Sequence, residues 1–261
     1  MTGTLEPDRE RGRQMAMTSD QPAGKRTVQA GLINRSIVGG VLLAATISLA
    51  TAACGSARSP EAEQAGTYAF DQMAGRVDPG GSLPGARSLA DALPNRMHLL
   101  GLSRKYIPIS DAIVLGHVIK VDDGDGFRQK GGGDGPTRKV GLREPEMMWG
   151  YVVVTIDVEK QTGTSNTPVQ VALWLTGATD IDKFKDSIAG LDDVLVVLDH
   201  QTISDGRSLV VPALQATLFG DVVAGKVRFP ALGDAEATFV GSLDTPAEIF
   251  AQAAKPVSQV S

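Results

Sequence analysis

A mainly β domain, with one helix set into the middle of its strand order and another near the C-terminus, is what this 261-residue sequence predicts. Three observations carry the prediction. YVVVTIDVEK, from Tyr151, alternates so that Val152, Val154, Ile156 and Val158 share one face while Thr155, Asp157 and Glu159 share the other. TDIDKFKDSIAG places Ile181, Phe184 and Ile188 on one helical stripe behind a capping Thr179 or Asp180. Thr245-Pro246-Ala247-Glu248 is a capping box with proline at the first helical position.

The elements follow in order. AIVLGHVIKV from Ala112 is short and β-branched, and Gly116 marks a bend or bulge in this first strand. YVVVTIDVEK is the second strand, and VQVALWL, with Val169, Val171, Leu173 and Leu175 on one face, returns as the third after a turn. The amphipathic helix follows, with Gly190 as a left-handed stop. VLVVL from Val194 reads as a buried fourth strand. LVVPALQATLF from Leu209 reads as the fifth, where Pro212 favours an edge or bulge, and FGDVVAGKVRF extends it as a hairpin. Ile249, Phe250 and Ala253 are the docking residues of the last helix.

Three strands, a helix and two more strands is the order of an OB-type five-stranded barrel, and residues 111 to 220 resemble the OB-like barrels of exported bacterial proteins. The alternative, an immunoglobulin-like β-sandwich, has no place for a helix in the middle of the order. Thirty glycines and fourteen prolines fit a turn-rich β protein better than a helical one.

The N-terminal third reads differently. Lys25, Arg26 and Arg35 precede an uncharged run from Ser36 to Ala57, about one bilayer thickness of sequence. Export through cleavage and lipidation, ordinary A-x-A cleavage after Ala52, and an uncleaved membrane span all fit this pattern. Thr51-Ala52-Ala53-Cys54 resembles the box that ends bacterial lipoprotein signals, with threonine where leucine is usual. The resemblance implies that residues 1–53 are a signal peptide and that the Cys54 sulfur carries a diacylglycerol, with a palmitate-type modification. It also implies that the protein works at the extracytoplasmic face of the bacterial cell membrane. Residues 54–86, polar and punctuated by Gly and Pro, read as a flexible linker, and 87–261 as the domain.

Removing residues 1–53 takes away 6 basic and 4 acidic side chains, leaving 19 against 26 and a net charge of −7. That balance argues against nucleic acid as a partner. One cysteine excludes an internal disulfide, and His98, His117 and His200 are scattered, so no metal site or other cofactor is expected.

Between the first two strands lies DDGDGFRQKGGGDGPTRKVGLREPEMMWG, which reads as an unusually long loop. Its DDGDG start is similar to a calcium loop, but Val121 and Gly132 would occupy the first and twelfth ligand positions, which need carboxylates. The same loop resembles secreted thermonucleases in Asp123-Gly124-Asp125, Arg138 and Pro145-Glu146. That resemblance implies a metal at Asp125, a phosphate at Arg138 and a base at Glu146, the parts of a calcium-dependent phosphodiesterase. Against it, Arg143 falls where a second metal carboxylate belongs, and a strand follows where a helix is expected.

No GxSxG elbow or SxxK is present, so no catalytic set is assigned. His200, beside Asp199, reads as a turn residue. Trp149, at the end of the long loop, is the candidate ligand-binding residue, and Trp174 lies opposite the main apolar face of the third strand. The expected function is therefore a lipid-anchored, non-catalytic binding module, held at the membrane and engaging an envelope protein or glycan near Trp149.

Overall fold

In the computed structural model the main sheet has eight antiparallel strands and is built around one long strand, β3 (Ala112–Gln129). The structure describes residues 66–74, 86–100, 105–129, 137–163 and 168–260. Cys54, the leader and most of the expected linker lie outside them.

The chain runs α1 (Thr67–Ala74), α2 (Leu89–Ala92), β1 (Arg96–Leu100), β2 (Lys105–Pro108) and β3, then β4 (Thr137–Val140), β5 (Trp149–Gln161) and β6 (Val169–Thr176). It continues through α3 (Ile181–Ala189), β7 (Asp193–Thr202), β8 (Ser208–Pro212), β9 (Phe219–Val223) and β10 (Lys226–Arg228). A 3₁₀ turn (Pro230–Ala235) leads to α4 (Glu236–Val240), α5 (Pro246–Ala253) and β11 (Ser258–Val260).

The main sheet has the order β10-β9-β7-β3-β5-β6, with β4 paired to β3 and β8 paired to β7. A second sheet has the order β11-β1-β2, in which β1 and β11 run parallel. Both sheets are open. β6 and β8 run close to one another but are not paired, so the closed barrel expected from the sequence is replaced by a curled sheet with a seam between these two strands.

Period-two alternation sorts the side chains. Val114, Val152, Val154, Ile156, Leu173, Val194 and Val196 point to one face, where Phe184 and Ile188 of α3 and Phe70 and Met73 of α1 cover them. Helix α3 starts as its sequence requires, with the Asp180 carboxylate accepting from the Lys183 N–H. Gly190 ends it at φ −81°, a right-handed conformation rather than the left-handed stop expected.

On the opposite face the sheet has two patches. Around β3, β7 and β9, Ile113, Leu195 and Val197 meet Phe229, Phe239, Ile249 and Phe250 from the C-terminal segments. Helix α5 carries the full capping box, with Thr245 Oγ1 accepting from the Glu248 N–H and Glu248 accepting from the Thr245 N–H. The second patch, over β5 and β6, is aromatic and is described below.

Three local expectations give way. Thr67–Ala74 falls in the stretch 54–86 expected as a linker, yet it forms a helix whose Ala69, Phe70 and Met73 are buried; Tyr68 and Ala69 are hydrogen-bonded to Asp180 and Ser187. The long loop after the first strand is mostly β structure: β3 continues through Asp122–Gln129 because β5 pairs with it on one side and β4 on its far end. The fifth strand ends at Pro212 instead of running to Phe219, since Leu214, Gln215 and Ala216 take positive φ. Gly116 does sit at a register shift between β3 and β5, where an added Cβ would lie 2.0 Å from the Asp157 carbonyl oxygen.

Candidate functional site

The aromatic patch comes from strand parity. Trp149, Tyr151 and Val153 alternate onto one face of β5, and register sets Phe127 of β3 and Thr176 of β6 opposite Trp149, and Trp174 opposite Tyr151. Phe127 and Trp149 stack at 4.1 Å between ring centres, and Trp174 meets Trp149 and Tyr151 edge-on at 5.4 and 5.5 Å. Edge-on contacts of this kind suit the ring quadrupoles. Ile203, Leu209 and Val211, from β8 and the β7–β8 turn, cover part of the patch.

Trp149 and Trp174 remain half-buried, and both border a groove enclosing roughly 730 Å³. Trp174 Nε1 donates to Gln201 Oε1 at 3.0 Å, which fixes both side chains. The far wall is the turn Leu214-Gln215-Ala216, three consecutive non-glycine residues at φ 53°, 59° and 71°. Such a conformation costs about 1–2 kcal/mol per L-residue and persists only where its surroundings enforce it. Here Thr217 Oγ1 donates to the Leu214 carbonyl at 2.8 Å and the Ala216 N–H to the Pro212 carbonyl at 3.1 Å. A second groove of roughly 840 Å³ lies along Asp111, Tyr151, Val153 and Val169, and His200 borders both.

Beside the aromatic patch, Asp125 is the hub of a charged cluster. Its carboxylate accepts from Lys139 Nζ at 2.7 Å, Arg207 Nη2 at 2.6 Å and the Tyr151 hydroxyl at 3.1 Å. Burial pushes its pKa up, but Lys139, Arg207 and Tyr151 together outweigh burial and hold it below the ordinary value. Burial, followed by the Asp125 charge, raises the Tyr151 phenol. Gly124 is bare because the Tyr151 ring lies against it: an added Cβ would sit 2.4 Å from two ring carbons.

On the other face Asp123 accepts from Lys185 Nζ at 2.6 Å and Arg143 Nε at 3.2 Å, and Arg143 grips Asp182 with two bonds of 2.7 and 2.9 Å. Lys185, then Arg143, keeps the Asp123 carboxyl below its ordinary range despite partial burial. This network pins α3 to β3. The DDGDG stretch thus splits its acids between two faces, and each acid meets cations of the chain itself.

The thermonuclease-like residues do not assemble as that resemblance implies. Both Asp125 oxygens are engaged by Lys139 and Arg207, Glu146 pairs with Arg128, and Arg138 is exposed in β4, across from Arg128. Among the described residues no group of three or more His, Cys, Asp or Glu side chains is placed to hold a metal ion.

His200 lies within β7 rather than in a turn, with Nδ1 at hydrogen-bonding distance from Asp111 Oδ2. His117 pairs likewise with Asp193 across β3 and β7. The neighbouring Asp199 is raised above its ordinary value, chiefly by burial.

Trp149 stands where the groove is, at the start of β5 rather than at a loop end. Its partners Phe127, Trp174 and Tyr151, the amide of Gln201 and the turn at Gln215 are not evident from sequence. Only the shared parity of Trp149 and Tyr151 could have signalled the patch. Among the described residues no helix is long and apolar enough to cross a membrane. Comparison with protein-family models, with curated protein sequences and with solved structures finds no match to this chain.

Proposed function

We propose that the chain is a lipid-anchored cell-envelope protein at the extracytoplasmic face of the bacterial membrane, whose β domain works by binding rather than catalysis. The observation that carries the binding reading is the placement of Trp149 and Trp174 side by side on one groove wall. Half-buried indoles held by stacking and by Gln201 are rigid anchors that lose little entropy when a ligand covers them.

The strand order β8-β7-β3-β5-β6, with α3 between β6 and β7, supports reading the main sheet as an OB-like barrel left open at one seam. In that reading the β5–β6 face and the β7–β8 turn border the surface that OB barrels use for ligands. The anchoring reading rests on the sequence around Cys54.

The test has two arms. Cells fed a clickable palmitate analogue should label the wild-type chain and not Cys54→Ser, which should also leave the membrane fraction; equal labelling of the two would remove the anchor. Retention of solubilised envelope components by the purified chain should fall with Trp149→Ala; unchanged retention would remove the binding face.

A further inference from the structure

The lining of the groove beside the indoles narrows what can occupy it. Its polar side chains are mostly neutral: Thr176, Gln201, Thr202, Ser204 and Gln215, and among the described residues no lysine or arginine borders it. Asp199 and His200 are the lining residues that can carry charge. A phosphate, nucleotide or other anion would find no lysine or arginine among these lining residues and a carboxylate close by.

A fatty chain would meet five hydroxyl or amide groups, which would lose water without gaining partners. An extended peptide would need a free strand edge along the groove, but β6 and β8 run too close together for a strand to enter between them.

Gln201 spends its carbonyl oxygen on Trp174, which turns its NH₂ into the group left to donate. Gln215 is placed more unusually. From Val211 to Gly220 every residue is buried except Gln215, so the left-handed turn raises one amide out of an apolar wall and over the groove. Indole walls offer apolar surface, and amides with hydroxyls offer paired donors and acceptors. That combination matches a pyranose ring, whose C–H face and hydroxyl rim have the same two characters. A volume of roughly 730 Å³ lies within the usual span for small-ligand sites.

We infer that the groove formed by Trp149, Trp174, Gln201 and the strained turn at Gln215 binds a neutral saccharide. The inference rests on the proposed binding role of this face and gives it a ligand class. The indoles provide the apolar walls, Gln201 and Gln215 hydrogen-bond ring hydroxyls, and the Asp199 carboxylate, with no lysine or arginine among the described lining residues, discriminates against acidic sugars.

The full-length chain in detergent should be titrated separately with maltotetraose, cellotetraose, mannotetraose and the tetramer of N-acetylglucosamine, following tryptophan emission and heat. At least one should bind. Trp149→Ala or Trp174→Ala should weaken that binding about tenfold, and the exposed Gln215→Ala about threefold with an unchanged melting temperature. A sulfated or phosphorylated version of the same tetrasaccharide should bind more weakly than the neutral one.

Saccharide binding indifferent to all three substitutions, or stronger for the acidic version, would overturn the inference. No response to any tetrasaccharide, alongside Trp149-dependent retention of envelope proteins, would overturn the saccharide and leave the binding module standing. No Trp149-dependent response of either kind would overturn both.

Discussion

Arg207 Nη2 donates to Asp125 Oδ2 across 2.6 Å, a contact that ties the β7–β8 turn to the C-terminal part of β3. The same guanidinium reaches the Tyr151 hydroxyl at 3.3 Å, so one side chain holds the turn against the edge of the aromatic patch. Asp125 is only 18% exposed, whereas Asp205, the other partner of Arg207, is 38% exposed. Removing Arg207 leaves a largely sheltered carboxylate with fewer partners. We expect Arg207→Ala to lose about 1–2 kcal/mol of stability and Asp205→Asn, at an exposed pair, to lose less. Urea unfolding of the two variants checks the ranking; equal losses would remove Asp125 as the important partner.

The depressed carboxyls make a pH prediction. Asp123 and Asp125 are both held below the ordinary value of 3.8 in the folded chain. A carboxyl lowered on folding binds fewer protons there than when unfolded, so its stabilisation is complete above the ordinary value and disappears as pH falls toward the lowered one. Melting temperature should therefore drop as pH falls below 3.8. Asp123→Asn and Asp125→Asn should each reduce that drop while lowering stability at neutral pH. Parallel curves for wild type and both variants would show that other groups govern acid unfolding.

Gly124 tests the packing beneath Tyr151. A methyl group there would overlap both the ring and the Tyr151 carbonyl oxygen, each 2.4 Å away. The backbone oxygen cannot swing aside as a flexible side-chain tip would. Gly124→Ala should lose about 1–3 kcal/mol and shift tryptophan emission, because Trp174 packs edge-on against the displaced ring. A melting curve and spectrum matching the wild type would contradict this packing.

Calcium should do little. A cation at Asp125 would have to displace Lys139 and Arg207, which already neutralise the carboxylate. Millimolar calcium is expected to leave the melting temperature within error, and the chain should show no calcium-dependent hydrolysis of DNA. A Glu146-dependent phosphodiesterase activity would reinstate the enzyme reading.

The sequence disclosed elements whose stability is local. The alternation in β5, the Asp180 cap of α3 and the reciprocal bonds of Thr245 and Glu248 all lie within a few residues of one another. It concealed what depends on distant pairing. Asp and Gly disfavour strands, so Asp122–Gly126 reads as a loop; its pairing with Val152 and Val153 and the cations of β4, the β7–β8 turn and α3 override that preference. The second sheet needs Arg96 to meet Ser258 across most of the domain. Trp149 was recognisable as a binding candidate, but its groove depends on registers that no local pattern encodes.

That second sheet bears on how the chain responds to load. Its last strand lies parallel to β1, through Arg96–Ser258 and His98–Val260. Tension applied ahead of Arg96 and beyond Val260 in opposite directions would slide the two strands along each other and strain the ladder in shear. An antiparallel neighbour pulled the same way could instead peel open one bond at a time. A chain stretched between those two points would thus resist at the parallel pairing of β1 with β11.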